Sequence, residues 1–343
     1  MTKNAGIKDK FMLKIGPFQN PSKIVIAPMA GVTDQPFRNL CRRKGAFWVV
    51  SEMVTSDQRL WHTSKSSHRL QFGSEAEPRW VQIAGADPDM LAEAAISNEH
   101  LGAQIIDINM GCPAKKVCRK AAGSALMRDE KLVQQILEKV VKAVSVPVTL
   151  KIRLGWSPEE QNATKIARIA QDAGIHLLSV HGRTKACKFG GNVNYDAIAE
   201  VVEAVDIPVI ANGDIGTAEK AAWVLTHTGA AGIMIGRAAQ GQPWLASQID
   251  YYLKTKIIEK NPSLGEIKSM LMTHIVDLSQ FYGEVMGPRI ARKHVGWYFA
   301  GLIGNEDTIG FTKRFNGLNQ VSEQIEAIES VFLAMQKREE IAA

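Results

Sequence analysis

The chain has 343 residues, 45% of them hydrophobic and 22% charged, with a formal net charge of +6. No stretch approaches the roughly 20 apolar residues that cross a bilayer, and the opening MTKNAGIKDK has no apolar signal core, so a cytoplasmic globular protein is expected. Four cysteines (Cys41, Cys112, Cys118, Cys187) are expected as reduced thiols; the spacing of Cys112 and Cys118 is not a common zinc spacing, and no metal is expected.

Eight β-rich runs follow one another: KIVIAPMA (23–30), FWVVSEM (47–53), RWVQIAG (79–85), QIIDINM (104–110), VPVTLKIR (146–153), LLSVHGR (177–183), IPVIANGD (207–214) and AGIMIGR (231–237). Most gaps carry apolar residues at helical spacing, as in DEKLVQQILEKVVKAV (129–144) and DAIAEVVEAV (196–205). Strand and helix alternating eight times predict an α/β chain folded as a (β/α)8 TIM barrel. A doubly wound sheet is disfavoured, because no G-x-G-x-x-G follows the first strand and no P-loop occurs. From about 245 onward β-rich runs cease. LGEIKSMLMTHIVDLSQFYGEV (264–285) and SEQIEAIESVFLAMQKREE (322–340) read as amphipathic helices. The expected division is a barrel over 1–245 and a small all-α domain over 246–343.

Charge is unevenly placed. Residues 1–45 hold nine Lys/Arg against two Asp/Glu; residues 108–128 hold no acid but Lys115, Lys116, Arg119, Lys120 and Arg128. Residues 285–305 again lack acids and carry Arg289, Arg292, Lys293 and His294. Such patches fit a polyanionic partner, although solvated surface charge would also produce them.

In such barrels chemistry sits at the carboxyl ends of the strands. That places Pro28-Met29-Ala30, Glu52, Gln82, Asn109 to Cys112, Lys151, Arg153, His181 to Arg183, Asn212 to Asp214, and Gly236-Arg237 on one rim. The period of two in VPVTLKIR turns Thr149, Lys151 and Arg153 inward. A lysine there is costly unless an anion meets it: a cofactor or substrate anion, an internal carboxylate, or a Schiff-base partner such as pyridoxal phosphate. Gly213 and Gly236, at the seventh and eighth strand ends with Arg237, suit backbone cradling of a phosphate. Cys112 follows the fourth strand, in a loop that Pro113 stiffens. A thiol near its ordinary pKa of roughly 8.5 is protonated at neutral pH and can donate a proton or act as a nucleophile. Cys41, Cys118 and Cys187 lack that placement and are read as structural.

Together APMAGVTDQPFR (27–38), VQIAG (81–85), DINMGCPAKKV (107–117), LKIRLGW (150–156), VHGRT (180–184), IANGDI (210–215) and MIGRAAQGQPW (234–244) resemble the tRNA-dihydrouridine synthases, above all the bacterial B-type subgroup. RIARKHVGWY (289–298) extends the resemblance into the helical tail. It implies an FMN barrel that reduces uridine in the tRNA D-loop with NADPH (or NADH), hydride passing to C6 and a proton from Cys112 to C5. It further implies Pro28, Met29 and Ala30 along one flavin edge, Gln82 and Lys151 at its pyrimidine end, and His181 beside it. Asn212, Gly213, Asp214, Gly236 and Arg237 would bind the phosphate, and Asn109 and Arg153 the uracil. Arg289, Arg292 and Lys293, on one face of a helix starting near Pro288, would grip RNA. Subgroup likeness points toward position 17. Two other readings stay open: a free-pyrimidine flavoenzyme of the dihydroorotate dehydrogenase type, and an RNA-binding barrel without chemistry.

Overall fold

In the strand Val148–Arg153 every residue except Lys151 is buried, so both of its faces are covered, as in a parallel sheet with helices outside and side chains within. The computed structural model describes residues 12–72, 75–119, 121–302 and 305–342; Lys120, expected among the cations after Cys112, lies outside them.

A hairpin of β1 (Leu13–Ile15) and β2 (Phe18–Asn20) comes first. There follow β3 (Ile24–Ile26), β4 (Trp48–Val49), β5 (Val54–Thr55), β6 (Trp80–Ala84), β7 (Ile105–Met110), β8 (Val148–Arg153), β9 (Leu177–His181), β10 (Val209–Asn212) and β11 (Gly232–Ile235). All neighbours in this second sheet are parallel, in the order β4-β3-β11-β10-β9-β8-β7-β6-β5. A parallel bridge from Val50 to Trp80, with the Ser51 N–H donating to Trp80 O at 2.9 Å, joins β4 to β6 and closes the ring. The eight expected staves are all present. β5 continues the second stave along β6, and the β1–β2 hairpin was not foreseen.

Five of the helices that follow strands start at a side-chain cap, and an apolar stripe turns such helices onto the sheet. Asp34, Asp87, Asp129, Asn194 and Thr217 each accept a backbone N–H from the first turn of the helix they precede, worth about 1 kcal/mol apiece. In Glu130–Ala143, Val133, Ile136, Leu137 and Val140 form the buried stripe. Leu13 and Ile15 of the hairpin join Val25, Trp48, Trp80, Ile105, Leu177, Ile210 and Met234 in one buried cluster. Most of these residues begin their strands, so the hairpin plugs the amino end of the barrel and leaves the carboxyl end as its mouth.

The chain divides into two compact units. One holds the described residues up to Arg237 with Trp244–Ile257, and the other holds Ala238–Pro243 with the residues from Ile258 onward. In the second, the helix Leu264–Leu302 is broken at Gly283, whose φ of 80° is non-helical. The helix bearing the cations therefore starts beyond Gly283, and Pro288 lies inside it rather than at its start. Its two halves fold back on each other: a Cβ on Gly287 would lie 2.5 Å from the Ser279 Cα, and the His274 and His294 rings are 4.5 Å apart. Phe299 packs on Phe311 and Phe332 from the helices Asn305–Phe315 and Val321–Ala342.

Candidate active site

The mouth of the barrel is built in two tiers. In the lower tier, Thr149 of β8 accepts the Trp80 indole N–H at 3.0 Å and donates to Asp107 Oδ1 at 2.7 Å. Gln82 of β6, 1% exposed, donates Nε2 to Asp107 Oδ2 at 2.6 Å and accepts Asn109 Nδ2 at 2.7 Å. Asn109 Oδ1 accepts the backbone N–H groups of Gly111 (3.3 Å) and Cys112 (3.0 Å), and Asn109 Nδ2 also faces the Met53 sulfur at 3.9 Å. Burial pushes the Asp107 carboxyl up to about 6, against the opposing pull of Gln82, Thr149 and Lys151.

Lys151 occupies the upper tier, where the alternation of β8 put it. Its ammonium donates to Asn212 Oδ1 at 3.1 Å, and Asn212 Nδ2 donates to Met234 O at 2.8 Å. Desolvation, helped by Arg153, lowers the Lys151 pKa to about 8. Desolvation and then the charges of Lys151, Arg153, Arg183 and Arg237 drive His181 down to about 2, so its imidazole is neutral. Four cations around one neutral histidine make a mouth suited to an anion.

Arg153 braces two loops. Nε donates to Gly111 O at 2.8 Å, and one terminal nitrogen donates to Thr184 O (3.0 Å) and Lys188 O (2.6 Å), leaving the other terminal nitrogen without a hydrogen bond among the described residues. Arg183 pairs with Asp214 through both terminal nitrogens, and Arg237 donates to the same carboxylate at 2.8 Å. With its side chain tied back, Asp214 presents its backbone. The N–H groups of Gly213, Asp214 and Gly236 donate to no protein acceptor among the described residues. Gly213 has a φ of +131°, and a Cβ there would clash with Val193 at 2.9 Å. On Gly236 a Cβ would clash with nothing and would stand beside Ala27 and Met29. Free amides, a glycine with open space and the Arg237 guanidinium fit a phosphate.

Pro28 and Met29 are half-buried and Ala30 is exposed after β3. Their loop is pinned because Met29 N–H donates to Thr33 Oγ1 at 2.9 Å and Gly31 N–H donates to Glu52 Oε1. Arg69 donates to the same Glu52 oxygen at 2.8 Å.

Cys112 is half-buried. Its carbonyl accepts the Ser124 hydroxyl (3.0 Å) and Ser124 N–H (3.1 Å), and lies 3.6 Å from the Cys118 sulfur. Gly123 approaches so closely that a Cβ would be 2.8 Å from the Cys112 oxygen. Desolvation raises the Cys112 thiol above its ordinary value, with Ala114 N–H, Arg153 and Lys151 opposing. The thiol is therefore protonated at neutral pH. Cys41 is fully buried on the first barrel helix, and Cys187 shares a hydrogen bond with Thr184 Oγ1 at 3.1 Å.

The dihydrouridine synthase (Dus) family profile matches residues 25–337. The chain belongs to the dihydrouridine synthase family. It is 55% identical to "tRNA-dihydrouridine synthase B" of Pseudomonas aeruginosa over 95% of this chain and 97% of that one. Against the protein of the same name from Vibrio vulnificus it is 52% identical over 93% and 98%. Two solved structures share the fold at low identity. Histamine dehydrogenase from Rhizobium sp. 4-9 has a TM-score of 0.55 and 12% identity over 78% of this chain. The 6-hydroxypseudooxynicotine amine oxidase of Pseudomonas geniculata N1 has a TM-score of 0.54 and 14% identity over 77%. This chain spans about half the length of those two, 50% and 53%.

As a dihydrouridine synthase the chain is a flavin-dependent oxidoreductase, and the mouth gathers most of the residues expected for one. Arg289, Arg292 and Lys293 belong to the helical unit. There Arg289 is exposed, while Arg292 donates to Leu318 O (3.2 Å) and Asn319 Oδ1 (3.0 Å), a tie to the turn that precedes Val321–Ala342. Two mouth residues, Asp107 and Phe189, lie outside the rim read from the sequence, and Arg183, which lies on that rim, gains its task from Asp214. Phe189 is 53% exposed, with the Arg153 and Arg237 guanidinium carbons 5.4 and 5.1 Å from its ring. Asp107 carried a signal, a carboxylate at an inward position two residues before Asn109.

Proposed function

We propose that the enzyme reduces the C5–C6 double bond of a D-loop uridine in tRNA, with FMN held at the barrel mouth and NADPH or NADH as reductant. The names of relatives similar over nearly their whole length support the RNA substrate, and position 17 is the uridine the B-type likeness favours. Gly213, Asp214, Gly236 and Arg237 would hold the FMN phosphate, with Asn212 beside them. Pro28, Met29 and Ala30 would line one edge of the ring, Gln82 and Lys151 would meet its pyrimidine end, and His181 would lie alongside.

Reduced flavin, when bound, supplies the hydride that uracil C6 receives. The chain's own residues do the rest. Lys151 sets a positive charge against the electron-rich end of the cofactor. The Cys112 thiol gives its proton to C5, becomes a thiolate, and is reprotonated from water before the next turnover. The Asn109 N–H now facing the Met53 sulfur and the unused Arg153 nitrogen would take uracil oxygens. The base must leave its stack to arrive, and the exposed Phe189 face is open to it. Cations at the mouth, with Arg289, Arg292 and Lys293 of the helical unit, would hold phosphates in a salt-sensitive grip.

The half-buried Cys112 on a mouth that also holds Lys151 and Arg153 is the observation that carries this reading. Turnover of bulk tRNA is compared with turnover of free uridine and orotate. Reduction of tRNA alone is the expected result; comparable rates on the small molecules would place the enzyme among free-pyrimidine reductases.

A further inference from the structure

Beneath the expected flavin site runs a chain of hydrogen bonds whose direction is set at one end. Asp107, 2% exposed, accepts the Thr149 hydroxyl on Oδ1 at 2.7 Å and the Gln82 amide on Oδ2 at 2.6 Å, as a carboxylate with only acceptors to offer does. Gln82 must turn Nε2 toward it, which leaves Oε1 for Asn109 Nδ2, which leaves Asn109 Oδ1 for the N–H groups of Gly111 and Cys112. An amide turned over at any link would set donor against donor at the next. Buried mismatches of that kind leave polar groups unsatisfied and are disfavoured.

We infer that Asp107 is a positioning residue: it touches neither Cys112 nor the expected uracil site, yet it orders two amides so that the Cys112 loop is held at its backbone. The inference rests on reading Cys112 as the proton donor. The relay itself stands on distances within the barrel.

Thr149 supplies the means of testing direction rather than bulk. Its hydroxyl donates to Asp107 Oδ1 at 2.7 Å but also lies 3.4 Å from Ile106 O. In Asp107→Asn the new amide can give Nδ2 to the Thr149 oxygen, whose proton then turns to Ile106, and Oδ1 still faces Gln82. The relay survives. In Thr149→Val the carboxylate remains, and the relay again survives. In Asp107→Asn with Thr149→Val nothing on the Thr149 side accepts Nδ2, so the amide turns toward Gln82 and the whole relay inverts.

The experiment is amide hydrogen exchange on the apo-protein, resolved at Gly111 and Cys112, together with mass-spectrometric rates of Cys112 alkylation by iodoacetamide. Each single variant should leave protection at those two amides within about threefold of the parent. The double variant should lose tenfold or more beyond the product of the singles, while Leu150 and Ile152 of β8 stay protected. Effects that simply multiply, or a loss spread evenly over the barrel strands, would overturn the inference. Should the double variant not fold, Gln82→Met decides: it cuts the relay with Asp107 in place. It should lower protection selectively at Gly111 and Cys112, and parental protection there would overturn the inference. Neither readout depends on turnover, so a wrong assignment of the proton donor would appear separately, as normal activity in Cys112→Ala.

Discussion

Arg153 donates its Nε to Gly111 O at 2.8 Å. The strand that carries Lys151 thus also clamps the residue before Cys112. Arg153→Lys keeps a charge but cannot bridge the three carbonyls of Gly111, Thr184 and Lys188. Loss of two such charged hydrogen bonds should destabilise the protein by about 3 kcal/mol or more. Denaturant unfolding checks this, and an unchanged midpoint would show that the clamp is idle.

Cys112→Ala should leave flavin reduction by NADPH at its parental rate while lowering uracil reduction by about 10²–10⁴-fold, the usual weight of a positioned acid. Stopped-flow absorbance separates the two half-reactions. Normal uracil reduction in the variant would mean the proton comes from elsewhere.

Lys151 provides a pH test. Its pKa falls from 10.5 to about 8 in the fold, so between those values the unfolded chain binds more protons and stability rises with pH. Below pH 8 the desolvation cost of the charge is fully present. In the apo-protein, Lys151→Met should therefore be more stable than the parent at pH 7, with the advantage shrinking toward pH 10. Affinity for the anionic cofactor should run the other way, falling in the parent above pH 8 and staying flat in the variant. Melting curves and flavin titrations across that range provide the check.

Gly123 has a φ of +63°. Gly123→Ala adds roughly 1–2 kcal/mol of left-handed strain and must push the Cys112 carbonyl away. Uracil reduction should fall while flavin binding holds, as measured by turnover beside flavin fluorescence.

Within the helical unit the proposed RNA contacts differ in what else they hold. Arg289→Ala should weaken tRNA binding and reduce the slope of log affinity against log salt by about one, without changing the melting temperature. Arg292→Ala should lower the melting temperature, because the tie to Leu318 and Asn319 is lost. Filter binding at several salt concentrations and thermal melts distinguish them.

Much of the mouth was readable from the chain because strand alternation is local. Once VPVTLKIR is a strand, Lys151 faces inward whatever surrounds it, and the turn glycines Gly213 and Gly236 follow their strands directly. The hairpin β1–β2 escaped notice because three-residue strands leave little period to detect. Arg292 read as an RNA contact because its spacing from Arg289 is helical; only packing against Leu318 gave it a structural task.

The order of strands and helices, the inward lysine and the thiol at a strand end were determined by the sequence alone, since each depends on neighbours a few residues away. The state of Asp107 was decided by barrel closure, which brings Gln82 and Thr149 to it from 25 and 42 residues away. A carboxylate has no preferred partner in the chain itself. Its charge and its hydrogen bonds follow from which distant groups, and how little water, the closed barrel leaves beside it.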